Sequence, residues 1–478
     1  MTTTRSRIAA GLAAALAVLA FPAASLASEV ARIDGSELAL QWSFPFIGML
    51  LSIAILPLAA PSLWHHHFGK ISAMWSLLVL VPAAYTFGFG PALGVLLHTM
   101  VLEYVPFLIL IGTLFTVAGG VLVRGNLHGD PRTNFLLLVI GLLLASVMGT
   151  TGAAMLLVRP IIRANDGRLH NAHVLVFFIF LVANIGGALT PLGDPPLFLG
   201  FLKGVSFFWP TEHLFLPALV TSAVVLGVFV VIDTVLYNRD SHFRPKVDPT
   251  PDSPIRLEGQ VNFVLLAGVV AAVLVSGLWR PGISWEVHGI EIELQNVVRD
   301  VVLLAMAALS LRLTPPEVRT ENGFSWGPIE EVAILFAGIF VSMIPALTIL
   351  RAGLHGAMAP LVGLVTAADG SPVNAAYFWL AGGLSSFLDN APTYLVFFNM
   401  AGGDPQHLMT DMAHTLMAIS AGAVFMGANS YIGNAPNFMV KSIAEERGVA
   451  MPSFFGYMAW SIAVLIPTFL LVTWIFFR

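Results

Sequence analysis

Gly187-Ala188-Leu189-Thr190-Pro191-Leu192-Gly193-Asp194-Pro195-Pro196 interrupts an apolar run, with Val174–Ala183 before it and Leu197–Leu202 after it. Three prolines, two glycines and a carboxylate do not fit a continuous helix, because proline removes a backbone donor and clashes with the preceding turn. At membrane depth, irregular backbone is tolerated only where it is buried in protein or lines a wet cavity. A second copy begins 240 positions later, at 427 rather than 187: Gly427-Ala428-Asn429-Ser430-Tyr431-Ile432-Gly433-Asn434-Ala435-Pro436. Gly187/Gly427, Ala188/Ala428, Gly193/Gly433 and Pro196/Pro436 are identical, and Thr190/Ser430, Leu192/Ile432 and Asp194/Asn434 are similar. Two broken helices at matching positions of two halves point to the binding site of a secondary transporter.

Composition sets the class. Of 478 residues, 57% are hydrophobic and 10% charged, against about 25% charge in soluble domains. Mean hydropathy is +0.86. Many apolar runs of about 20 residues make a polytopic helical protein whose solvent is the lipid bilayer. Net charge is −5 with no large basic patch, which excludes nucleic acid as a partner. The absence of cysteine excludes disulfides and thiolate metal sites. Arg5 and Arg7 precede apolar Ile8–Ala20, and Ser25-Leu26-Ala27 has small-residue cleavage grammar. Residues 1–27 therefore read as a signal peptide, with an uncleaved first helix as the alternative.

The expected spans are Trp42–Pro61, Ile71–Gly90 and Glu103–Arg124. Phe135–Met148 and Ala153–Ile162 are each too short for a bilayer of about 30 Å at roughly 1.5 Å per residue. Joined by Gly149-Thr150-Thr151-Gly152, they read as a re-entrant hairpin. Asn171–Phe208 is the broken helix, and His213–Tyr237 closes the first half, residues 28–237. A polar linker, residues 238–258, leads to the second half, 259–478. There Val261–Trp279, Asn296–Leu313 and Glu330–Arg351 are spans. Ala376–Leu388 and Ala391–Met400 form a second hairpin, Met412–Ile443 is the second broken helix, and Phe454–Phe477 is the last span. The tip residues Gly149 and Asp389 are again 240 apart.

With five crossings each, the second half is inverted relative to the first. The predicted fold class is an all-α integral membrane protein, an inverted-repeat transporter with two re-entrant hairpins and two broken transmembrane helices. Lys and Arg favour the cytoplasmic side. A mature N-terminus outside and a cytoplasmic linker 238–258 put 14 of them inside (Lys70, Arg124, Arg132, Arg159, Arg163, Arg168, Arg239, Arg244, Lys246, Arg256, Arg312, Arg319, Lys441, Arg447). Six lie outside (Arg32, Lys203, Arg280, Arg299, Arg351, Arg478).

A hairpin tip facing a broken helix gathers several helix ends around one point. Helix N-termini suit anions, and C-termini and unwound carbonyls suit Na⁺. The expected ion-binding groups are Thr150, Thr151, Thr190 and Asp194 in the first half. In the second they are Asp389, Asn390, Thr393, Asn429, Ser430 and Asn434. All offer hard oxygen, as small alkali cations require; simple capping of half-helices is the bland alternative. A carboxylate at membrane depth is functional by default, and one that binds either Na⁺ or H⁺, never both, suffices for antiport. Glu103, His173 and His414 are candidate proton relays, with interhelical hydrogen bonds as the alternative. Glu330 and Glu331 open the span corresponding to that of Glu103, and Asp233 and Asp300 fall near span ends. His65-His66-His67 reads as a short interfacial loop rather than a metal site. No cofactor and no metal beyond Na⁺ at these groups is expected; the coupling ions are Na⁺, H⁺ or both.

Asn184-Ile185-Gly186-Gly187-Ala188 with Thr190-Pro191-Leu192-Gly193-Asp194 resembles the hallmark of NhaD-type sodium/proton antiporters. Ser386 with Asp389-Asn390-Ala391-Pro392 is similar to that family's second-hairpin motif. The wider ion transporter superfamily also holds citrate and dicarboxylate transporters and arsenite permeases. The resemblance covers roughly Glu103–Phe208 and Glu330–Lys441. It implies an elevator-like transport domain, a homodimer and a bacterial inner-membrane location. The chain departs from it in its signal-like start and in a first tip without acid or asparagine. The superfamily's sodium/dicarboxylate symporters carry neutral tips, whereas Asp389 here would repel an anion, and neither clamp holds a Lys or Arg. The expected activity is therefore Na⁺ (or Li⁺)/H⁺ antiport by alternating access. The alternative is Na⁺- or H⁺-coupled transport of citrate or another organic anion. An intramembrane aspartyl protease using Gly193-Asp194 and Asp389 is remote, since Asn434 fills the second copy and prolines flank the Gly-Asp pair.

Overall fold

The computed structural model describes residues 34–243, 253–287 and 289–478. The signal-like segment, together with Arg32, Arg244 and Lys246 of the charge census, lies outside the described residues.

A short 3-10 turn leads into α1 (Phe44–Ala59), followed by α2 (Pro61–Phe87) and α3 (Phe89–Thr99). A π-helical turn, Met100–Tyr104, joins α3 to α4 (Val105–Ala118). After strand β1 (Leu122–Asn126) come α5 (Pro131–Met148) and α6 (Thr150–Ala164), which pack along each other. Next are α7 (Ala172–Leu181), a 3-10 turn (Ile185–Leu189), α8 (Pro195–Leu202) and the long α9 (Trp209–Phe243).

Then come β2 (Ser253–Glu258), α10 (Val261–Leu278), β3 (Ser284–Val287) and β4 (Ile290–Glu293). The chain continues with α11 (Leu294–Leu313), α12 (Pro316–Glu321), α13 (Gly327–Ser342), α14 (Ile344–Arg351) and α15 (Ala359–Gly363). Then α16 (Asn374–Ser385) and α17 (Asn390–Met400) pack together, followed by α18 (Pro405–Met409), α19 (Ala413–Met426), a 3-10 turn (Gly427–Asn429), α20 (Ala435–Glu446) and α21 (Phe454–Phe476). Among the described residues nine helices are long and apolar enough to cross a bilayer, or ten if α13 and α14, bent by 44°, make one span. The protein is a multi-pass, all-helical membrane protein.

Both interruptions expected from the proline-rich stretches are present, each as helix, 3-10 turn, extended residues and helix. α7 is buried on every side, from Val174 to Val182, so an unbroken apolar sequence is what it needs.

Several expectations are corrected. The third span ends at Ala118, not Arg124, because Gly119-Gly120 stops the helix and Leu122–Asn126 goes into a strand. That strand pairs antiparallel with Ser253–Glu258, so the end of the linker is part of a two-stranded sheet rather than free loop. Arg124 ties it down through Glu258 at 2.6 Å and Glu321 at 2.7 Å. The helix expected to end at Tyr237 runs on to Phe243. His65, His66 and His67 are helical and exposed, with His66 Nδ1 bonded to the Ser62 carbonyl one turn back. The first hairpin arm starts at Pro131, capped by Asp130 on the Thr133 N–H, and its 18 residues are long enough to span. Polar Arg132-Thr133-Asn134 disguised that extra turn.

One buried charge cluster fastens this hairpin. Asp233 of α9 is fully buried and accepts from Arg168 at 2.6 Å, His173 at 2.8 Å and Asn134 at 3.1 Å. Removing one partner of a buried pair leaves an uncompensated charge and costs about 3–5 kcal/mol. Asp233→Ala is therefore expected to lower the melting temperature sharply in detergent, whereas Asp240→Ala, on the exposed His170 pair, is expected to leave it unchanged.

Candidate functional site

The two interruptions share one local design. Thr190 Oγ1 donates to the Ser146 carbonyl and accepts from the Leu192 N–H at 3.2 Å. Ser430 Oγ donates to the Ser386 carbonyl and accepts from the Ile432 N–H at 3.2 Å. Ser146 and Ser386 are themselves 240 apart. Asp194 and Asn434 both occupy extended N-cap positions, φ −143°, ψ 143° and φ −152°, ψ 139°. Gly149, at φ 82°, makes the first tip and lets the Thr150 N–H reach the Gly193 carbonyl at 2.8 Å.

Neither Asp194 nor Asn434 caps its own helix. The prolines of the first turns have removed N–H groups that a cap would bind. Asp194, 1% exposed, instead collects donors from three other segments. Its Oδ1 accepts from Thr150 Oγ1 at 3.1 Å, on the first tip, and from Asn434 Nδ2 at 3.2 Å, in the second interruption. Its Oδ2 accepts from Asn390 Nδ2, on the second tip. One carboxylate is thus shared by both hairpins and both broken helices. Facing that carboxylate fixes the amide of Asn390, so its Oδ1 points away; this oxygen is buried and has no partner. Asn429 Nδ2 donates to Ser386 Oγ at 2.9 Å, and its buried Oδ1 is likewise without a partner. The structure thus holds one buried acid ringed by donors, and unpartnered amide oxygens at the second tip (Asn390) and the second interruption (Asn429); oxygens of this kind are what hard cations bind.

A family model described as "Putative citrate transport" matches residues 35–477. The chain belongs to this family. No curated protein matches the chain. Membership makes it a transporter, and the shared carboxylate lies where the two halves of that transporter meet.

The remaining expected groups fall in different places. Asp389 is half-buried and caps its own helix, accepting from the Ala391 N–H at 3.0 Å. Thr393 is buried and donates to the Asp389 carbonyl at 3.0 Å. Thr151 is half-buried, next to Thr150. His173 is held by Asp233 in the cluster described above. His414 is exposed on the first turn of α19. Glu330 is exposed, Glu331 half-buried, and Asp300 pairs with Arg299 at 2.8 Å. No His, Asp and Glu cluster that could hold a metal occurs among the described residues.

Two residues absent from the expected set knit the site together. Asn184 Nδ2 donates to Asn437 Oδ1 at 2.7 Å, bridging the two interruptions. Asn437 Nδ2 in turn donates to the Gly427 and Ser430 carbonyls at 2.8 and 2.9 Å. Asn434 Nδ2 also reaches the Ala183 carbonyl at 3.0 Å. A signal was present: at the 240-residue offset, Asn184 faces Val424 and Asn437 faces Leu197, a polar group in one copy where the other is apolar.

Proposed function

We propose that the chain is a secondary active transporter exchanging Na⁺ (or Li⁺) for H⁺ across a bacterial plasma membrane by alternating access. The observation that carries this is the buried Asp194 carboxylate, held jointly by Thr150, Asn390 and Asn434. A small dehydrated cation is bound by such oxygens, and a proton on the same carboxylate removes the charge that holds it. Thr151, Thr190, Asp389, Thr393 and Ser430 complete the two clamps. In this reading the halves are related by inversion, each crossing five times. The hairpins are re-entrant, a reading that rests on both tips, Thr150 and Asn390, reaching the buried Asp194; the N-terminus lies outside with residues 238–258 inside, and two copies form the working unit.

A second reading is supported by the family's description: coupled transport of citrate or a similar organic anion. Against it, the central group is an acid that repels carboxylates. An aspartyl protease is disfavoured because Asp194's donors are amides and a hydroxyl rather than a second carboxyl.

Proteoliposomes separate the first two. An imposed pH gradient is expected to collapse on adding Na⁺ or Li⁺ but not choline, with no uptake of labelled citrate. Citrate uptake that needs Na⁺, with no proton movement on Na⁺ alone, would select the second reading.

A further inference from the structure

The third span of each half is interrupted at one matching level. In the first half the interruption is the π-turn Met100–Tyr104, the one π-helical turn among the described residues. In the second it is the 44° bend at Met343. At the 240-residue offset Glu103 corresponds to Met343 and Lys203 to Ile443. Glu103, 8% exposed, and Lys203 are bonded to each other at 2.5 Å. The second half builds the same element with two apolar residues, so the repeat itself does not demand an ion pair here. Burying two charges at membrane depth is costly, and π-turns concentrate at functional sites.

The position gives the pair a purpose. Lys203 follows directly on α8, whose N-cap is Asp194. The eight residues of α8 make one rigid rod of about 12 Å. The shared carboxylate is at one end and the ammonium at the other. Lys203 also lines a cavity of about 1990 Å³, whose wall includes His98, Glu212, Arg299 and Arg351 but none of Thr150, Asp194, Asn390 and Asn434.

Resting on the exchange reading above, we propose that Glu103–Lys203 is a proton-operated latch on α8, separate from the Na⁺ site. A proton taken up by the Glu103 carboxylate, whose neighbours Leu102 and Val105 and partner Lys203 line the cavity, neutralises it. The ion pair is lost, Lys203 turns into the cavity still charged, and α8 is released from the π-turn. Deprotonation of Glu103 restores the pair. The charged groups in reach are His98, on the preceding turns, and Arg351, at the end of α14. Within the π-turn, Tyr104 donates its hydroxyl to the Ala333 carbonyl of α13 at 2.8 Å and packs on Phe340; α4 carries no titratable side chain, and Glu330 and Glu331 lie near the N-terminal end of α13.

The test copies the second half: Glu103→Met with Lys203→Ile, in proteoliposomes. Three readouts are needed: Na⁺/Na⁺ exchange with ²²Na⁺, H⁺-driven Na⁺ efflux, and the pH profile of efflux. Expected are Na⁺/Na⁺ exchange close to wild type, H⁺-driven efflux lower by about tenfold and a flattened pH profile. Lys203→Arg, which keeps the pair, is expected to retain the wild-type profile and covers the case of a double variant that does not fold. A double variant with wild-type efflux and pH profile overturns the latch, and so does Lys203→Arg with a flattened profile. Absence of Na⁺/Na⁺ exchange in the wild type would instead overturn the exchange reading.

Discussion

Asp194→Asn is expected to cut Na⁺-driven proton movement to about one-hundredth of wild type or below, while the purified protein stays folded. A charge-assisted bond is worth about 1.5–3 kcal/mol, and about 2.7 kcal/mol is a hundredfold in an equilibrium. Asparagine keeps the shape but loses the charge, and its own amide N–H₂ turns a donor toward donors from Thr150, Asn390 and Asn434. The fold survives because the same change removes a buried charge whose desolvation opposed folding, so the melting temperature should move little. Asp389→Asn is the informative contrast. Asparagine caps helices as well as aspartate does, so the Ala391 N–H keeps its acceptor and only the second charge is lost. A smaller decrease, about tenfold, is expected there. The readout is collapse of an imposed pH gradient on Na⁺ addition, paired with thermal melting of each variant. Wild-type exchange by Asp194→Asn would remove the basis of the assignment.

The interruptions were legible because proline and glycine act locally. Three prolines around Asp194 forbid a helix whatever packs against them. The spacing from tip to interruption was legible as well, since a repeat preserves it. What sequence could not give was the partnership across halves. The sequence groups Asp194 with Thr150, Thr151 and Thr190 of its own half, yet two of its three hydrogen-bond partners, Asn390 and Asn434, come from the second half. No local pattern encodes which oxygen meets which amide. The sheet of Leu122–Asn126 and Ser253–Glu258 was hidden for the same reason, its two strands being far apart in sequence. The π-turn around Glu103 was invisible because its composition is that of the α-helix on either side. Lys203 looked like an outer-side anchor until the fold brought it to Glu103. Asn184 and Asn437 are the exception: each is polar where the other copy has an apolar residue, Val424 and Leu197.

Gly193→Ala is expected to damage folding and flux together. A Cβ at residue 193 would sit 2.2 Å from the Gly187 carbonyl oxygen and 2.8 Å from its carbon. Both obstacles are backbone, so no rotamer change relieves them. Overpacking that movable side chains absorb costs about 1–3 kcal/mol, and here the upper end or more is expected. The backbone cannot yield freely: the Gly187 N–H is bound to the Asn184 carbonyl at 2.9 Å and the Gly193 carbonyl receives the Thr150 N–H at 2.8 Å. Any shift of residue 193 therefore moves both the first tip and the carboxylate beside it. Gly433→Ala should behave alike, with a Cβ 2.5 Å from the Gly427 carbonyl oxygen and 2.7 Å from that of Ser385. Gly227→Ala, inside α9 with nothing within 4 Å, is the control; helix propensity alone should raise its stability by up to about 1 kcal/mol. The measurements are monodisperse yield in detergent, melting temperature and Na⁺-dependent proton flux. Should Gly193→Ala match wild type in all three, residues 187 and 193 do not lie against each other, and the turn that aims Asp194 at Asn390 and Asn434 is not the one described.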